Sequence, residues 1–146
     1  MRARIILPLA IGLVVGSLQG APATPAPGSP ERKAICDAVR HHLAASRGPS
    51  VENRLFKIDA LRVDGEFAYF EGFFAHPDGT PSGVGTADDI VFNIFLKRVA
   101  ETWRVIQDLS RTDVPSESEQ ETIRRDFPQE IPTSIIPSFW RKILAR

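Results

Sequence analysis

The segment from Phe67 to Ala75 (Phe-Ala-Tyr-Phe-Glu-Gly-Phe-Phe-Ala) constrains the fold more than any other part of the chain. Side chains of a β-strand alternate between the two faces of its sheet, and here both alternating sets are apolar. They are Phe67, Tyr69 and Phe73 on one face, and Ala68, Phe70 and Phe74 on the other. One helix can cover only one face. The other therefore needs the chain's own C-terminal segment, a second copy or another protein.

A helix is predicted over residues 30–46, upstream of this strand. Ser29 is a suitable N-cap, Pro30 occupies the first helical position, and Gly48 and Pro49 disfavour continuation. Helical spacing places four apolar residues on one arc, which is expected to face the sheet. They are Ile35, Ala38, Val39 and Leu43.

Four strands are predicted, because the apolar period changes to two after the helix. They cover residues 55–63, 67–75, 90–99 and 103–109. Asp64-Gly65 predicts a two-residue hairpin turn, Ala100-Glu101 a second tight turn, and residues 76–87 a long loop. Hairpin connections make the sheet antiparallel.

The C-terminal segment, residues 116–144, is predicted to contain short helices. Ser116 and Glu119 form a capping-box pattern, and three prolines divide the remainder of the segment. We expect this segment to cover the second sheet face with Phe127, Phe139 and Trp140. Residues 30–146 are thus predicted to be one α+β domain, with a core over 30–109 in which the N-terminal helix packs on a curved four-stranded antiparallel sheet.

Residues 1–23 have the pattern of a secretory signal peptide. Arg2 and Arg4 precede a short apolar run, and Ala21-Pro22-Ala23 places small residues where signal peptidase cleaves. The run is shorter than the roughly 20 residues of a membrane span. We therefore expect a periplasmic or secreted protein without an integral membrane span, joined to its leader by a Pro- and Ala-rich linker over residues 24–29.

Charge and cysteine content narrow the function classes. Cleavage would leave 123 residues and lower Lys plus Arg from 18 to 16, against 18 Asp plus Glu. This slightly acidic balance argues against nucleic acid as a partner. The single cysteine, Cys36, cannot form an internal disulfide, and its position beside the apolar helix arc favours a buried thiol.

Residues 30–109 resemble the cystatin-like and NTF2-like α+β folds. The phrase Leu61-Arg62-Val63-Asp64-Gly65-Glu66-Phe67-Ala68, with Trp103-Arg104-Val105 running into Thr112-Asp113-Val114, resembles a set of uncharacterised exported bacterial proteins. This resemblance implies a fold and an export route but no assigned activity. The Gln-x-Val-x-Gly inhibitory hairpin of cystatins is missing, which argues against protease inhibition.

Three residues are candidates for ligand binding. His42 lies within the apolar helix arc and would face the pocket of an NTF2-like cone as a general base, or else would be a core-edge histidine bonded to a backbone carbonyl. Glu71 interrupts an apolar face that it shares with Tyr69. It would be an acid or base of raised pKa, or would pair with Arg62 or Lys97 across strands.

No catalytic motif or cofactor motif is found. The chain has no Gly-x-Ser-x-Gly nucleophile elbow. Acidic residues and a histidine bracket the long loop at a spacing that matches no metal motif, and the His-Pro-Asp-Gly sequence favours a turn. They are His76, Asp78, Asp88 and Asp89.

The sequence supports two main hypotheses. The first is an exported, non-enzymatic binding domain that contacts another protein or itself through the second apolar sheet face; a structural envelope protein is not distinguished from it. The second is an NTF2-like pocket for a small ligand or a reaction, using His42, Tyr69 and Glu71.

Overall fold

The structure is a computed structural model that describes residues 21–83 and 89–145. It confirms the α+β class. Residues 1–20, which hold most of the predicted signal peptide, and Asp88 lie outside the described residues. The elements are α1 (Pro30–Arg47), a 3-10 helix (Pro49–Asn53), β1 (Leu55–Asp64), β2 (Phe67–Ala75), β3 (Phe92–Val99), β4 (Thr102–Asp108), α2 (Glu117–Asp126) and α3 (Ser138–Leu144).

Helix α1 begins and ends at the predicted signals. The Ser29 side chain accepts a hydrogen bond from the Arg32 backbone N–H at 3.3 Å. Gly48 ends the helix with a φ of 101°, a conformation that few residues other than glycine adopt. The buried side of α1 consists of Ile35, Cys36, Val39 and Leu43. The Cys36 side chain is buried, which confirms the buried-thiol interpretation, and this burial raises the pKa of the thiol.

The sheet has the strand order β1-β2-β3-β4 with antiparallel neighbours, and it is open. The first hairpin turn lies at Gly65 and Glu66, one residue later than predicted, because Asp64 still pairs with Phe67. The second turn is at Ala100 and Glu101, as predicted. Both residues have positive φ, 47° and 62°, as the twist of a two-residue hairpin requires.

Helix α1 covers the first face of the sheet. The strand residues on this face alternate as predicted, and they pack with the buried side of α1 into one hydrophobic cluster. Its strand members are Leu61, Val63, Ala68, Phe70, Phe74, Phe92, Ile94, Leu96 and Trp103.

The C-terminal segment covers the second face, as predicted. Its buried members, together with Phe67, Tyr69, Phe95 and Leu109, form a second hydrophobic cluster. They are Phe127, Ile131, Ile135, Ile136, Trp140 and Ile143. The prediction for Phe139 is wrong, since its side chain is 44% exposed. The second sheet face is therefore filled by the chain itself.

The segment before α1 contacts the domain at two residues, Ala23 and Pro25. Ala23 and Val63 exchange two backbone hydrogen bonds of 2.8 Å. Pro25 is buried, and its carbonyl accepts a hydrogen bond from the Arg32 guanidinium at 3.2 Å. The predicted linker thus packs on the domain at Pro25, and Ala23, the last residue of the predicted signal peptide, pairs with β1.

Candidate functional site

Four side chains on the second face form one polar network. The Tyr69 hydroxyl lies 2.6 Å from Glu71 Oε2 and 2.7 Å from Asn93 Oδ1, and Trp140 Nε1 donates to Asn93 Oδ1 at 3.0 Å. Glu71 and Asn93 are direct cross-strand neighbours of β2 and β3. The network therefore ties the C-terminal segment to the middle of the sheet.

Tyr69 is held in its neutral form. Its side chain is fully buried, and loss of hydration raises its pKa far above the ordinary value. The hydrogen bond to Glu71 raises this pKa further. The hydroxyl has one proton but two acceptors within reach, so it donates to one of them at a time. Tyr69 is thus suited to holding Glu71 and Asn93 in place, and poorly suited to giving up a proton.

Tyr69 is the only tyrosine, so phenolate absorbance reports on this one group. Because its folded pKa is raised, the neutral form contributes stability that is fully present below the unfolded pKa near 10 and is lost as pH rises above it. We expect phenolate absorbance to appear only together with loss of the circular-dichroism signal in an alkaline titration. Reversible ionisation near pH 10 in a folded protein would contradict this burial.

His42 lies on the other side of the sheet. Its Nε2 is 2.8 Å from Asp108 Oδ2, and both side chains are about one-third exposed, at 33% and 29%. A β-bulge causes this contact. Leu96 pairs with Val105, but Phe95 pairs with Gln107, so one residue is skipped and Asp108 shares a face with Ile94. The expected backbone partner of His42 is thus replaced by a carboxylate.

The structure brings together Tyr69 and Glu71 but not His42. Tyr69 and Phe70 are adjacent in β2 and belong to the two opposite hydrophobic clusters, and Glu71 shares the face of Tyr69. Helix α1, which carries His42, packs on the Phe70 face. A single pocket therefore cannot use His42 and Glu71 together.

The expected partners of Glu71 are wrong as well. Lys97 lies beside Glu130 at 2.6 Å and Glu66 at 3.8 Å, and Arg62 stands opposite Tyr69 in the strand register. The partner of Glu71 is Tyr69, two residues away on the same strand face.

A cleft opens beside the polar network. We call it the apolar cleft; it has a volume of about 250 Å³, and its wall includes Val91, Asn93, Arg111, Val114, Phe139 and Trp140. Val91, Val114 and Phe139 are 43%, 70% and 44% exposed. They are three of the five large hydrophobic side chains that the described part of the chain exposes, and all three meet at this one place.

A second cavity, which we call the acidic groove, lies between the end of β4 and α2. It has a volume of about 380 Å³ and is lined by Asp108, Leu109, Arg111, Glu119, Ile123, Asp126 and neighbouring polar residues. Arg111 belongs to both cavities and binds Glu119 at 3.0 Å. Hydrogen bonds from Ser116, and then from Arg111, lower the pKa of Glu119 to about 2, so this carboxylate stays charged.

Part of the polar network can be recognised in the amino-acid sequence, whereas the apolar cleft cannot. Glu71 is recognisable as a polar interruption of an apolar strand face, and the same signal is available at Asn93, which stands between Val91 and Phe95 at alternate positions. Val91 and Val114 carry no such signal, because an isolated valine next to a loop is as common in a core as at a surface.

Residues 76–80 of the predicted loop form a turn. Asp78 Oδ1 accepts hydrogen bonds from the Thr80 backbone N–H at 2.9 Å and from its hydroxyl at 2.6 Å.

Within residues 21–83 and 89–145, no group of three or more His, Cys, Asp or Glu side chains is placed to hold a metal ion. In the same ranges, no helix has the length and apolar character needed to cross a membrane.

Comparison of the chain with protein-family models, with curated proteins and with solved structures finds no match.

Proposed function

We propose that this protein is an exported, non-enzymatic binding domain, and that it binds its partner at the apolar cleft. One observation carries the proposal: Val91, Val114 and Phe139 remain exposed around a single cavity. Exposed apolar side chains scattered singly are ordinary, whereas a group of them around a cavity is typical of binding sites.

The exposure of apolar side chains at the cleft contrasts with the coverage of the sheet. Both sheet faces are covered by the chain's own helices. Among the described residues, no buried side-chain nitrogen or oxygen lacks a hydrogen-bond partner. Of the five large hydrophobic side chains that the described residues expose, only Leu55 and Val99 lie outside the cleft, and covering an exposed side chain of this kind contributes roughly 1 kcal/mol or more. Leaving three uncovered at one cleft is consistent with a surface that a partner covers.

The cleft can be tested by site-specific photo-crosslinking in the producing cells. We expect a benzophenone side chain at position 114 to give a discrete crosslinked product, because Val114 is 70% exposed at the rim. Phe139→Ser should abolish that product, since it removes the largest exposed apolar side chain of the cleft.

The matched control is Val99. It is 44% exposed, like Phe139, but lies at the end of β3 and outside the cleft. Identical crosslinked products from positions 114 and 99, or a product at 114 that survives Phe139→Ser, would contradict the proposal. The Phe139 ring contacts that of Trp140 with centroids 4.9 Å apart, so Phe139→Ser should lower the melting temperature slightly, and an unchanged circular-dichroism spectrum separates loss of binding from loss of folding.

Export is supported by the basic, apolar and small-residue pattern of residues 1–23. We expect the protein to accumulate outside the cytoplasm with an N-terminus at or near Thr24, as N-terminal sequencing would show. A chain that retains Met1 and stays in the cytosol would contradict export and leave the binding site unaffected.

A further inference from the structure

We infer that the partner at the apolar cleft is a second copy of this chain, related by a two-fold axis, so that the exposed apolar side chains of each copy cover those of the other. This inference rests on the proposed function and adds the identity of the partner. Its basis is twofold: one surface holds both the cavity and the side chains that fit a cavity, and the two segments that border the cleft carry opposite charges.

The surface around the cleft is complementary to itself in shape. It contains a cavity of about 250 Å³, with Trp140 in its lining, and apolar side chains that project beside that cavity. Val114 is 70% exposed and Phe139 is 44% exposed. In a dimer with two-fold symmetry the same patch of each copy meets itself, so the patch must both insert and receive. The cleft meets that requirement.

The two segments that border the cleft carry exposed charges of opposite sign. Residues 111–114 include Asp113, whose side chain is 79% exposed. Helix α3 carries Lys142, which is exposed and lies one turn after Phe139 on the same side of the helix. Within the described residues, the Lys142 ammonium makes no hydrogen bond or ion pair. A two-fold axis between the segments brings Asp113 of each copy towards Lys142 of the other.

The remaining cation of the cleft is engaged within its own chain. Arg111 donates to the Asp113 carbonyl at 2.7 Å and to Glu119 at 3.0 Å, and its side chain is 19% exposed. Its distance to the Asp113 carboxylate is 3.7 Å. An ion pair of this length at an exposed carboxylate contributes little in water. The Asp113 carboxylate can therefore also contact a lysine of a second copy.

The size of the surface sets the strength of the dimer. Each copy is a complete domain by itself, because its own helices cover both faces of the sheet. Three apolar side chains from each copy make a small interface, and interfaces that bury less than about 1,200 Å² are weak or transient. We therefore expect a monomer at low protein concentration and a reversible dimer at high concentration.

The first test is analytical ultracentrifugation of the purified mature chain over a wide range of concentrations. Val114→Ser and Phe139→Ser should each raise the dissociation constant of the dimer by about tenfold, because each removes an apolar side chain from the centre of the contact. Val99→Ser is the matched control, since Val99 is 44% exposed and lies outside the cleft. It should leave the constant unchanged. An unchanged circular-dichroism spectrum of each variant excludes loss of folding.

Exchange of charges tests the two-fold arrangement. Asp113→Lys alone, or Lys142→Asp alone, places like charges opposite each other in both symmetric contacts, and each should weaken the dimer by about tenfold. Mixing these two single variants should restore association, because both contacts then join opposite charges. Restoration in the mixture cannot come from repair within one chain, so it reports the contact between copies.

Several outcomes overturn the inference. A chain that stays monomeric at the highest attainable concentration has no such dimer. A dimer that neither Val114→Ser nor Phe139→Ser weakens uses another surface. Single charge variants that associate no better when mixed contradict the two-fold arrangement. In the crosslinking test, a product at position 114 with twice the mass of the chain supports a second copy, whereas a product of another mass retains the proposed function and overturns this inference alone.

Discussion

Truncation of the chain after Asp113 is expected to leave a protein that does not fold as a stable monomer. The deletion removes six buried side chains from the second hydrophobic cluster, from Phe127 to Ile143. Each contributes on the order of 2 kcal/mol through burial, so the loss is comparable to the whole stability of a typical domain, about 5–15 kcal/mol. It also removes Trp140, which donates to Asn93. Dye binding and light scattering should report exposed apolar surface and self-association.

The control for this truncation ends the chain after Leu144, beyond the last buried side chain of α3. That variant should unfold at the same urea concentration as the parent. A chain ending at Asp113 that stays monomeric and equally stable would show that the C-terminal segment contributes little to the core.

Replacement of Val39 by Asp is expected to lower the free energy of unfolding by roughly 3 kcal/mol or more, because it buries a charge without a partner. Val39 is fully buried, and it faces the first sheet face with Ile35 and Leu43. The change should appear as a lower midpoint in urea unfolding monitored by circular dichroism.

Ala34→Asp is the matched control for Val39→Asp. Ala34 is exposed in the same helix, about one turn nearer to the N-terminus. The substitution introduces the same side chain into the same helix, so it should cost only the difference in helix propensity, about 0.7 kcal/mol or less. Equal destabilisation by the two variants would mean that the cost comes from the helix and not from burial.

The elements were predictable because their signals are local. Ser29 and Gly48 bound α1 through hydrogen bonds and backbone angles within a few residues. The alternation in β2 depends only on the pleat of an extended chain. The error in the first turn also has a local cause: Asp64 continues β1 because it pairs with Phe67, so the turn lies at Gly65 and Glu66.

The candidate site was predictable only in part. A carboxylate within an apolar strand face indicated Glu71, and its network with Tyr69 lies two residues away on the same face. The contact of His42 depends on a bulge in β4, which changes the face of every residue after it. No local sequence pattern in β4 predicts that extra residue, so the contact between His42 and Asp108 could not be predicted.

The amino-acid sequence alone requires a sheet that is covered on both sides, because β2 carries large apolar side chains on both faces and neither can remain in water. It leaves open whether the second face is covered by the C-terminal segment, a second copy or another protein, and the tertiary structure shows that the C-terminal segment covers it. The place where this coverage stops depends on the packing of the whole chain. Trp140 turns inward and Phe139 turns outward, although they are neighbours on one short helix, because α3 can present only one side to the sheet. The exposed side, together with Val91 and Val114, forms the apolar cleft.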